Sequence, residues 1–341
     1  MTRTDVIVAG GGPVGLVAAI RARLAGFEAT VLEPHDGDLD KACGEGLMPV
    51  ALESLAEIGV APAGMDIAGF RYTDGRRSVE HRLSGSPGRG VRRTTLHSAL
   101  RARAAEVGVV VESARVDAIV QDDASVSAGG VTGSWLLACD GLHSSVSRLL
   151  GLDLPIPRRG RRFGLRRHFR VAPWSDLVEV HWSPDAEAYI TPVASDTVGV
   201  AVMGPRGTDF RSALAAMPEL ADRIGTAEPA STLRGAGPFG YRTRHRTAGR
   251  VMLVGDSSGY VDSLTGEGLR VGFAQADAAV RAALQGSPAL YEREWHRVTR
   301  DVRRLTTGLV TAATSPVRPA IVPAAAALPG VFGFVVERLA R

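Results

Sequence analysis

The sequence predicts an α/β fold: a parallel nucleotide-binding sheet, an antiparallel β-sheet inserted into it, and helices at the C-terminal end. Three observations carry this. Short β-branched runs end in glycine turns at three separated places, at Gly10, Asp140 and Gly255. A long central stretch alternates apolar and polar residues and is broken by Pro and Gly, as antiparallel strands are. From Pro288 onward the pattern is helical, first charged and amphipathic, then rich in Ala, Val and Pro.

The first element is the most informative. Asp5–Ala9 is a buried-strand type of run that ends in Gly10-Gly11-Gly12-Pro13-Val14-Gly15, a G-x-G-x-x-G. Gly10 allows the tight strand-to-helix turn, Gly12 lets a pyrophosphate approach the backbone, and Gly15 lets the helix pack close to the strand. The helix expected over 14–25 aims free N–H groups and a positive dipole end at that pyrophosphate. A second strand over 28–32 then delivers Glu33, where a carboxylate accepts from the ribose hydroxyls of an adenosine. A lone G-x-G-x-x-G is weak evidence, but strand, glycines, helix, strand and acid in this order form a dinucleotide fingerprint.

The remaining elements follow in order. After Glu33 a polar loop leads to Lys41-Ala42-Cys43-Gly44-Glu45-Gly46, a backbone-rich turn before a helix expected at 50–58. Strands are expected at 69–73, 78–83 and 90–92. Arg93 opens an amphipathic helix with Leu96, Leu100 and Ala104 on one face. A buried strand at 109–111 returns to the first sheet, and strands at 114–121 and 134–139 lead to Asp140-Gly141. From 161 to 239 the runs at 177–182, 188–193 and 197–203 read as a substrate sheet. A buried strand at 250–254 ends in Gly255-Asp256, a long helix starts near Gly268, and a charged helix covers 288–310. The tail from Pro316 is expected to form short helices over an apolar surface.

Composition narrows the function. With 341 residues, 45% hydrophobic and 22% charged, the chain is long enough for two interlocked domains. The net charge of +4 comes almost wholly from arginine, since Lys41 is the only lysine. The denser arginine run at 158–170 reads as a solvated strand face, and no nucleic-acid partner is expected. Cys43 and Cys139 lack metal-type spacing, which fits a fold without disulfides, and no metal site is expected. The chain enters a strand at once, so no signal peptide is expected; no segment is apolar and long enough to span a bilayer, and the expected location is the cytoplasm.

Taken together, Gly10–Gly15, Arg93 at its helix start, Asp140-Gly141-Leu142-His143-Ser144 and Gly255-Asp256-Ser257-Ser258-Gly259 resemble the FAD-dependent oxidoreductases of the p-hydroxybenzoate hydroxylase superfamily over about residues 4–285. That superfamily includes aromatic hydroxylases, flavin halogenases and geranylgeranyl reductases. The resemblance implies a Rossmann-like FAD-binding domain (1–68, 93–158 and 246–287), an inserted substrate domain (69–92 and 159–245) and a helical tail (288–341). It implies that Glu33 holds the adenosine ribose, that Arg93 contacts the FAD linker, that Asp140 and Gly141 support the pyrophosphate, and that Asp256 binds the ribityl or pyrophosphate region. Gly266, Glu267 and Gly268 would place a helix start at the flavin, where its N–H groups favour the anionic reduced form.

Within the superfamily, the C-G-E-G loop at Cys43 and the T-G-E-G at Thr265 look closest to the geranylgeranyl reductase and halogenase branches. Ser263 stands where that branch commonly has proline, and Ser147 where many hydroxylases have arginine, which weakens the inference that NADPH docks directly in their manner. The chain lacks the W-x-W-x-I-P of the halogenases, the nearest segment being Ala188-Tyr189-Ile190-Thr191-Pro192, and it lacks a second lysine. Halogenation is therefore disfavoured.

The activity implied is oxidation or reduction by flavin, with NAD(P)H or a reductase partner as electron donor. A monooxygenase is the first expectation, one oxygen atom of O2 passing from a flavin C4a-hydroperoxide in a dry pocket to an apolar or aromatic small molecule. The alternative is a reductase or dehydrogenase acting on a prenyl or lipid-like C=C bond; a third reading is a protein that only binds FAD. Lys41, Cys43 and Glu45 are the catalytic candidates, with Lys41 and Glu45 also readable as a salt-linked pair. A free cysteine is more often a small buried hydrophobe. His168, His181 and His245 read as hydrogen-bonded sheet or surface residues, and Phe163, Phe169, Trp174, Trp182 and Tyr189 as core more readily than as pocket lining.

Overall fold

Four apolar runs with both faces covered build the central sheet of the computed structural model, which describes residues 2–156 and 161–340. In chain order the main elements begin with β1 (Val6–Ala9), α1 (Pro13–Leu24), β2 (Ala29–Leu32), α2 (Pro49–Ala56), β3 (Gly69–Thr73) and β4 (Ser78–Arg82). Next come α3 (Arg93–Glu106), β5 (Val110–Glu112), β6 (Trp135–Ala138), β7 (Arg162–Arg170), β8 (Leu177–Trp182), β9 (Glu187–Ala194) and β10 (Thr197–Pro205). The chain closes with β11 (Arg234–Ala236), β12 (Thr247–Ala248), β13 (Val251–Leu253), α4 (Gly268–Leu284), α5 (Pro288–Ala313), α6 (Ile321–Ala327) and α7 (Pro329–Ala340).

The first sheet has the order β12-β13-β6-β1-β2-β5 and is parallel apart from β12. Alternation sends Val6, Val8, Val31 and Leu137 into one core with α1, α3 and α4, and Ile7, Ala9, Leu32 and Leu136 into a second core on the other face. This double burial is why these strands read as continuous apolar runs. The expected face of α3 is the buried one: Leu96, Leu100 and Ala104 all pack inward. α1 and α4 approach closely because residue 272 is glycine, where a Cβ would come within 2.5 Å of Val14 Cγ2.

The second sheet has the order β11-β7-β10-β9-β8-β3-β4, antiparallel except where β8 pairs with β3. One face packs Phe169, Val198 and Val200 against Phe210 and Leu220; on the other, Val178, Val180 and Trp182 meet Ala313 and Val322 of the tail. Of the five aromatics expected in the core, Phe169 and Trp182 are buried in it, Trp174 and Tyr189 are half-buried against it, and Phe163 is half-buried and belongs to neither core.

Three expectations need correction. The strand at 109–111 is not buried: β5 is the sheet's edge, and Val110 and Val111 are about half exposed. The strand expected over 114–121 is confined to Ile119–Gln121 and belongs to a separate small sheet, while that at 90–92 lies at Gly88–Gly90 in another. The arginine run is not a solvated face, because the pleat turns Arg162 and Arg166 inward to buried positions. Arg158 and Arg159, with the expected domain boundary beside them, lie outside the described residues.

Candidate active site

The three glycine-and-acid turns follow β1, β6 and β13, which are neighbours in one parallel sheet, so they meet along its C-terminal edge. At the first turn, Gly10 has φ +102° and a Cβ there would lie 2.7 Å from the Cys139 carbonyl oxygen. A Cβ on Gly15 would fall 1.9 Å from the Gly10 carbonyl oxygen, so helix and turn touch directly. Gly12 differs: its Cβ direction meets only Arg93 Nη2, at 3.9 Å, and leaves an open approach beside a guanidinium. The Gly11 N–H donates to Glu33 Oε2 at 2.8 Å, which fixes the acid at the turn, and the His35 N–H donates to Oε1 at 3.1 Å. His97 supports the turn from below; Nε2 lies 2.9 Å from the Gly11 carbonyl oxygen and Nδ1 accepts from the Leu39 N–H at 3.3 Å. Sequence reasoning missed His97, although its place one residue after Leu96 on a buried helix was a signal.

At the second turn Asp140 accepts through Oδ2 from Ser145 Oγ (3.2 Å) and the Val146 N–H (3.1 Å), while Oδ1 is buried without a partner. At the third, the Gly255 N–H donates to Gln275 Oε1 at 2.6 Å, a buried glutamine of α4 that carried no sequence signal. Burial pushes the Asp256 carboxyl above its ordinary value, against the opposing charges of Arg93 and Lys41. Of these two, Arg93 also reaches the first turn, its Nη2 standing nearest the Gly12 Cβ direction, and its Nε is buried without a partner. Glu267 is also pushed up by burial, with Arg270 opposing, and Gly268 begins α4 within van der Waals reach of Tyr260.

The candidate catalytic loop is held differently from expectation. Lys41 and Glu45 are not a salt-linked pair: Lys41 is exposed, whereas Glu45 is buried and points into the substrate sheet. The i, i+4 spacing brings side chains together only on a helix, and Glu45 instead has φ +61°, the one positive φ at a non-glycine among the described residues. Its Oε1 accepts from the Arg93 N–H (2.9 Å) and its Oε2 lies 2.6 Å from His168 Nε2. Arg166 Nη1 is 3.1 Å from His168 Nδ1. Ser231 Oγ lies 2.9 Å from the same Nδ1 and can donate or accept, whereas a guanidinium can only donate, so the arrangement suits an acceptor at Nδ1 and a donor at Nε2 toward Glu45. Arg166 also pairs with Asp40; burial would raise that carboxyl, but Arg166 and Arg234 hold it below its ordinary value. Cys43 Sγ, half-buried, accepts from the Glu45 N–H at 3.4 Å. Cys139 is buried core, as expected. His181 is the expected sheet histidine, 3.0 Å from Glu179.

A second buried network joins the loop after the third turn to the substrate sheet and the tail. Arg162 Nε donates to Asp262 Oδ2 at 3.0 Å and Nη2 pairs with Glu187; Arg318 Nη2 donates to Glu187 Oε2 at 2.9 Å. Between this loop, α4 and α5 lies about 450 Å³ of empty space, part of it open to solvent, lined by Asp256, Tyr260, Glu267, Val271 and Arg303 among others.

These residues fit an extended dinucleotide such as FAD. Gly12 leaves a cradle that a Cβ would fill, and Asp140 Oδ1 and Arg93 Nε are buried polar atoms lacking partners; such atoms are costly unless something completes them.

Comparisons with known proteins agree. The FAD binding domain family matches residues 3–282. The chain is 29% identical to menaquinone reductase of Mycolicibacterium smegmatis, over 86% of this chain and 80% of that protein. It is 30% identical to a 12-dehydrotetracycline 5-monooxygenase/anhydrotetracycline 6-monooxygenase of Streptomyces rimosus, over 45% of this chain and 34% of that one. A solved flavoprotein/dehydrogenase from Cytophaga hutchinsonii shares the fold, with TM-score 0.86, 20% identity, and coverage of 98% of this chain and 92% of that chain. The chain thus belongs to the FAD binding domain family and is a FAD-dependent oxidoreductase.

Proposed function

We propose that the enzyme reduces a C=C bond in a lipid-like, isoprenoid-bearing molecule, with Cys43 as the proton donor. FAD, held by Gly10–Gly15, Glu33, Arg93, Asp140, Gly141, Gly255, Asp256 and Gly266–Gly268, supplies hydride when bound and reduced, from NAD(P)H or a reductase partner. The observation that carries the reading is a free thiol, Cys43, on a loop that Glu45 ties to Arg93 beside the first turn. Reducing an alkene needs a proton as well as a hydride, and hydroxylating a phenol needs no such protein acid. The strained backbone of Glu45 sends its carboxylate back to His168 Nε2 at 2.6 Å and to the Arg93 N–H at 2.9 Å, while its own N–H donates to Cys43 Sγ at 3.4 Å. Glu45 thus fixes the thiol through its backbone and braces the loop through its buried carboxylate, and the half-buried thiol takes its next proton from solvent. The extent of the match to the menaquinone reductase supports the substrate class.

Oxygenation of an apolar or aromatic molecule by O2 is the second reading, favoured by the match to the tetracycline monooxygenase. One experiment separates them. Photoreduced enzyme is given a prenylated quinone anaerobically in D2O, and the product is weighed. A gain of two carbon-bound deuterium atoms, one carried by the reduced flavin, whose N–H exchanges with D2O, and one by the thiol, lost in Cys43→Ala, supports reduction. A product formed only with O2 and heavier by one oxygen atom defeats it.

A further inference from the structure

The tail helix α7 is apolar on the face it buries and on the face it does not. Phe332 and Val336 pack on Val79 of β4, Gly333 lies against His81, and Glu337 accepts from the Ser84 N–H at 2.7 Å. On the outside, Leu328, Val331 and Phe334 recur at helical spacing and are 57%, 57% and 71% exposed. A surface helix of a globular protein normally carries polar residues there, and a helix apolar all round is one that is covered on all sides. Between Thr314 and Val336 the only charged residue is Arg318, and its side chain is turned inward onto Glu187.

We propose that the outer face of α6 and α7 is a docking surface for an anionic lipid bilayer. Two further observations select that occupant. The first is charge. α7 runs along β4 from Val79 toward Ser84, so its apolar start lies at the end of the sheet where the turn between β3 and β4 carries Arg76 and Arg77. Both are exposed and neither has an ion-pair partner among the described residues; Asp74 in the same turn uses Oδ1 on their backbone N–H groups. Unpaired arginines beside an apolar helix face are what a negatively charged lipid surface recognises. The second is area. The three side chains expose on the order of 400 Å², enough to mark an interaction site but well short of the ~800 Å² per partner of a stable protein interface. A bilayer needs no such area, because shallow insertion of one helix face suffices. Crossing is not implied: no single helix among the described residues is long and apolar enough, and the stretches Arg318–Ala327 and Pro329–Ala340 meet at 105°.

The proposal goes beyond the reaction assigned above and is read out separately from it. FAD-loaded protein is sedimented with vesicles of phosphatidylglycerol and phosphatidylcholine, and with phosphatidylcholine alone, while its association state is followed by analytical ultracentrifugation. Wild type is expected to partition onto the anionic vesicles. V331E/F334E loses that binding at least tenfold with unchanged FAD content, and R76Q/R77Q weakens it by about fivefold per arginine without affecting the neutral vesicles. Three results overturn the idea: no partition of wild type onto anionic vesicles, equal partition of V331E/F334E, or a concentration-dependent dimer that V331E/F334E dissolves, which would make a second copy the occupant.

Discussion

Gly12→Ala separates the fold from the cofactor site. Gly12 has φ −67° and ψ 172°, an extended conformation open to any residue, and an added Cβ would meet nothing nearer than Arg93 Nη2 at 3.9 Å. The apoprotein should therefore lose nothing. Replacing a glycine where alanine is unstrained restricts the unfolded chain and adds roughly 0.4–1 kcal/mol of stability. The same methyl occupies the space through which a pyrophosphate would reach the backbone. Lifting the phosphates away from their N–H donors, at about 1.5–3 kcal/mol for each charge-assisted hydrogen bond, weakens FAD by about ten- to a hundredfold. The contrast is Gly15→Ala, whose Cβ would sit 1.9 Å from the Gly10 carbonyl oxygen. Backbone cannot yield as a side-chain tip does, so overpacking of at least 1–3 kcal/mol falls on the fold itself. The assay is paired: urea unfolding of deflavinated protein, and fluorescence titration with FAD. Wild-type FAD affinity in Gly12→Ala would show that no phosphate approaches there and would refute the assignment of the turn.

Two more outcomes follow from buried charge. Asp256 has its folded pKa raised above the ordinary 3.8, burial being the larger cause. The folded apoprotein thus holds this proton more tightly than the unfolded chain, and the site's contribution to stability falls as pH rises through the folded pKa. Asp256→Asn should make the apoprotein more stable at pH 7, an advantage that disappears below about pH 4, while lowering its FAD content; melting curves across pH together with flavin absorbance check both halves, and unchanged flavin content would remove Asp256 from the site. Arg162→Met strips Asp262 of its guanidinium and leaves Glu187 with Arg318 alone. Uncompensated buried carboxylates cost about 3–5 kcal/mol, a loss that denaturant unfolding should detect and that Arg162→Met combined with Asp262→Leu should partly recover; a cost below ~1 kcal/mol would show the cluster to be solvated.

What could be read in the sequence was local, and what could not was set by partners far along the chain. The strand-turn-helix at Gly10–Gly15 and the acid at Glu33 were legible because φ > 0, backbone approach and strand-end position are properties of a few adjacent residues. The edge position of Val110 and Val111 was not, since apolar composition is the same for a strand with one neighbour as with two. The arginines of β7 looked solvated because nothing nearby could neutralise them; Arg162 finds its carboxylates at Glu187 and Asp262, and Arg166 at Asp40. Glu45 shows the same limit. Its spacing from Lys41 suggested a pair, but a left-handed backbone that no propensity predicts for glutamate sends it to a histidine 123 residues away.

These distant pairings also fix how the tail relates to the loop after the third turn. Asp262 follows the third turn, Arg162 and Glu187 lie on adjoining parts of the substrate sheet, and Arg318 opens the tail; two guanidiniums and two carboxylates leave the cluster neutral. In a poorly solvated interior each member depends on the others, so the tail is anchored to the site by its inward side. Arg318 is further held by the Ser183 carbonyl oxygen at 2.9 Å and lies over the Trp182 ring at 4.9 Å. Leu328, Val331 and Phe334 are exposed and take no part in that anchor. A lipid surface could therefore take the outer face without prising the tail from the sheet or disturbing the loop after the third turn.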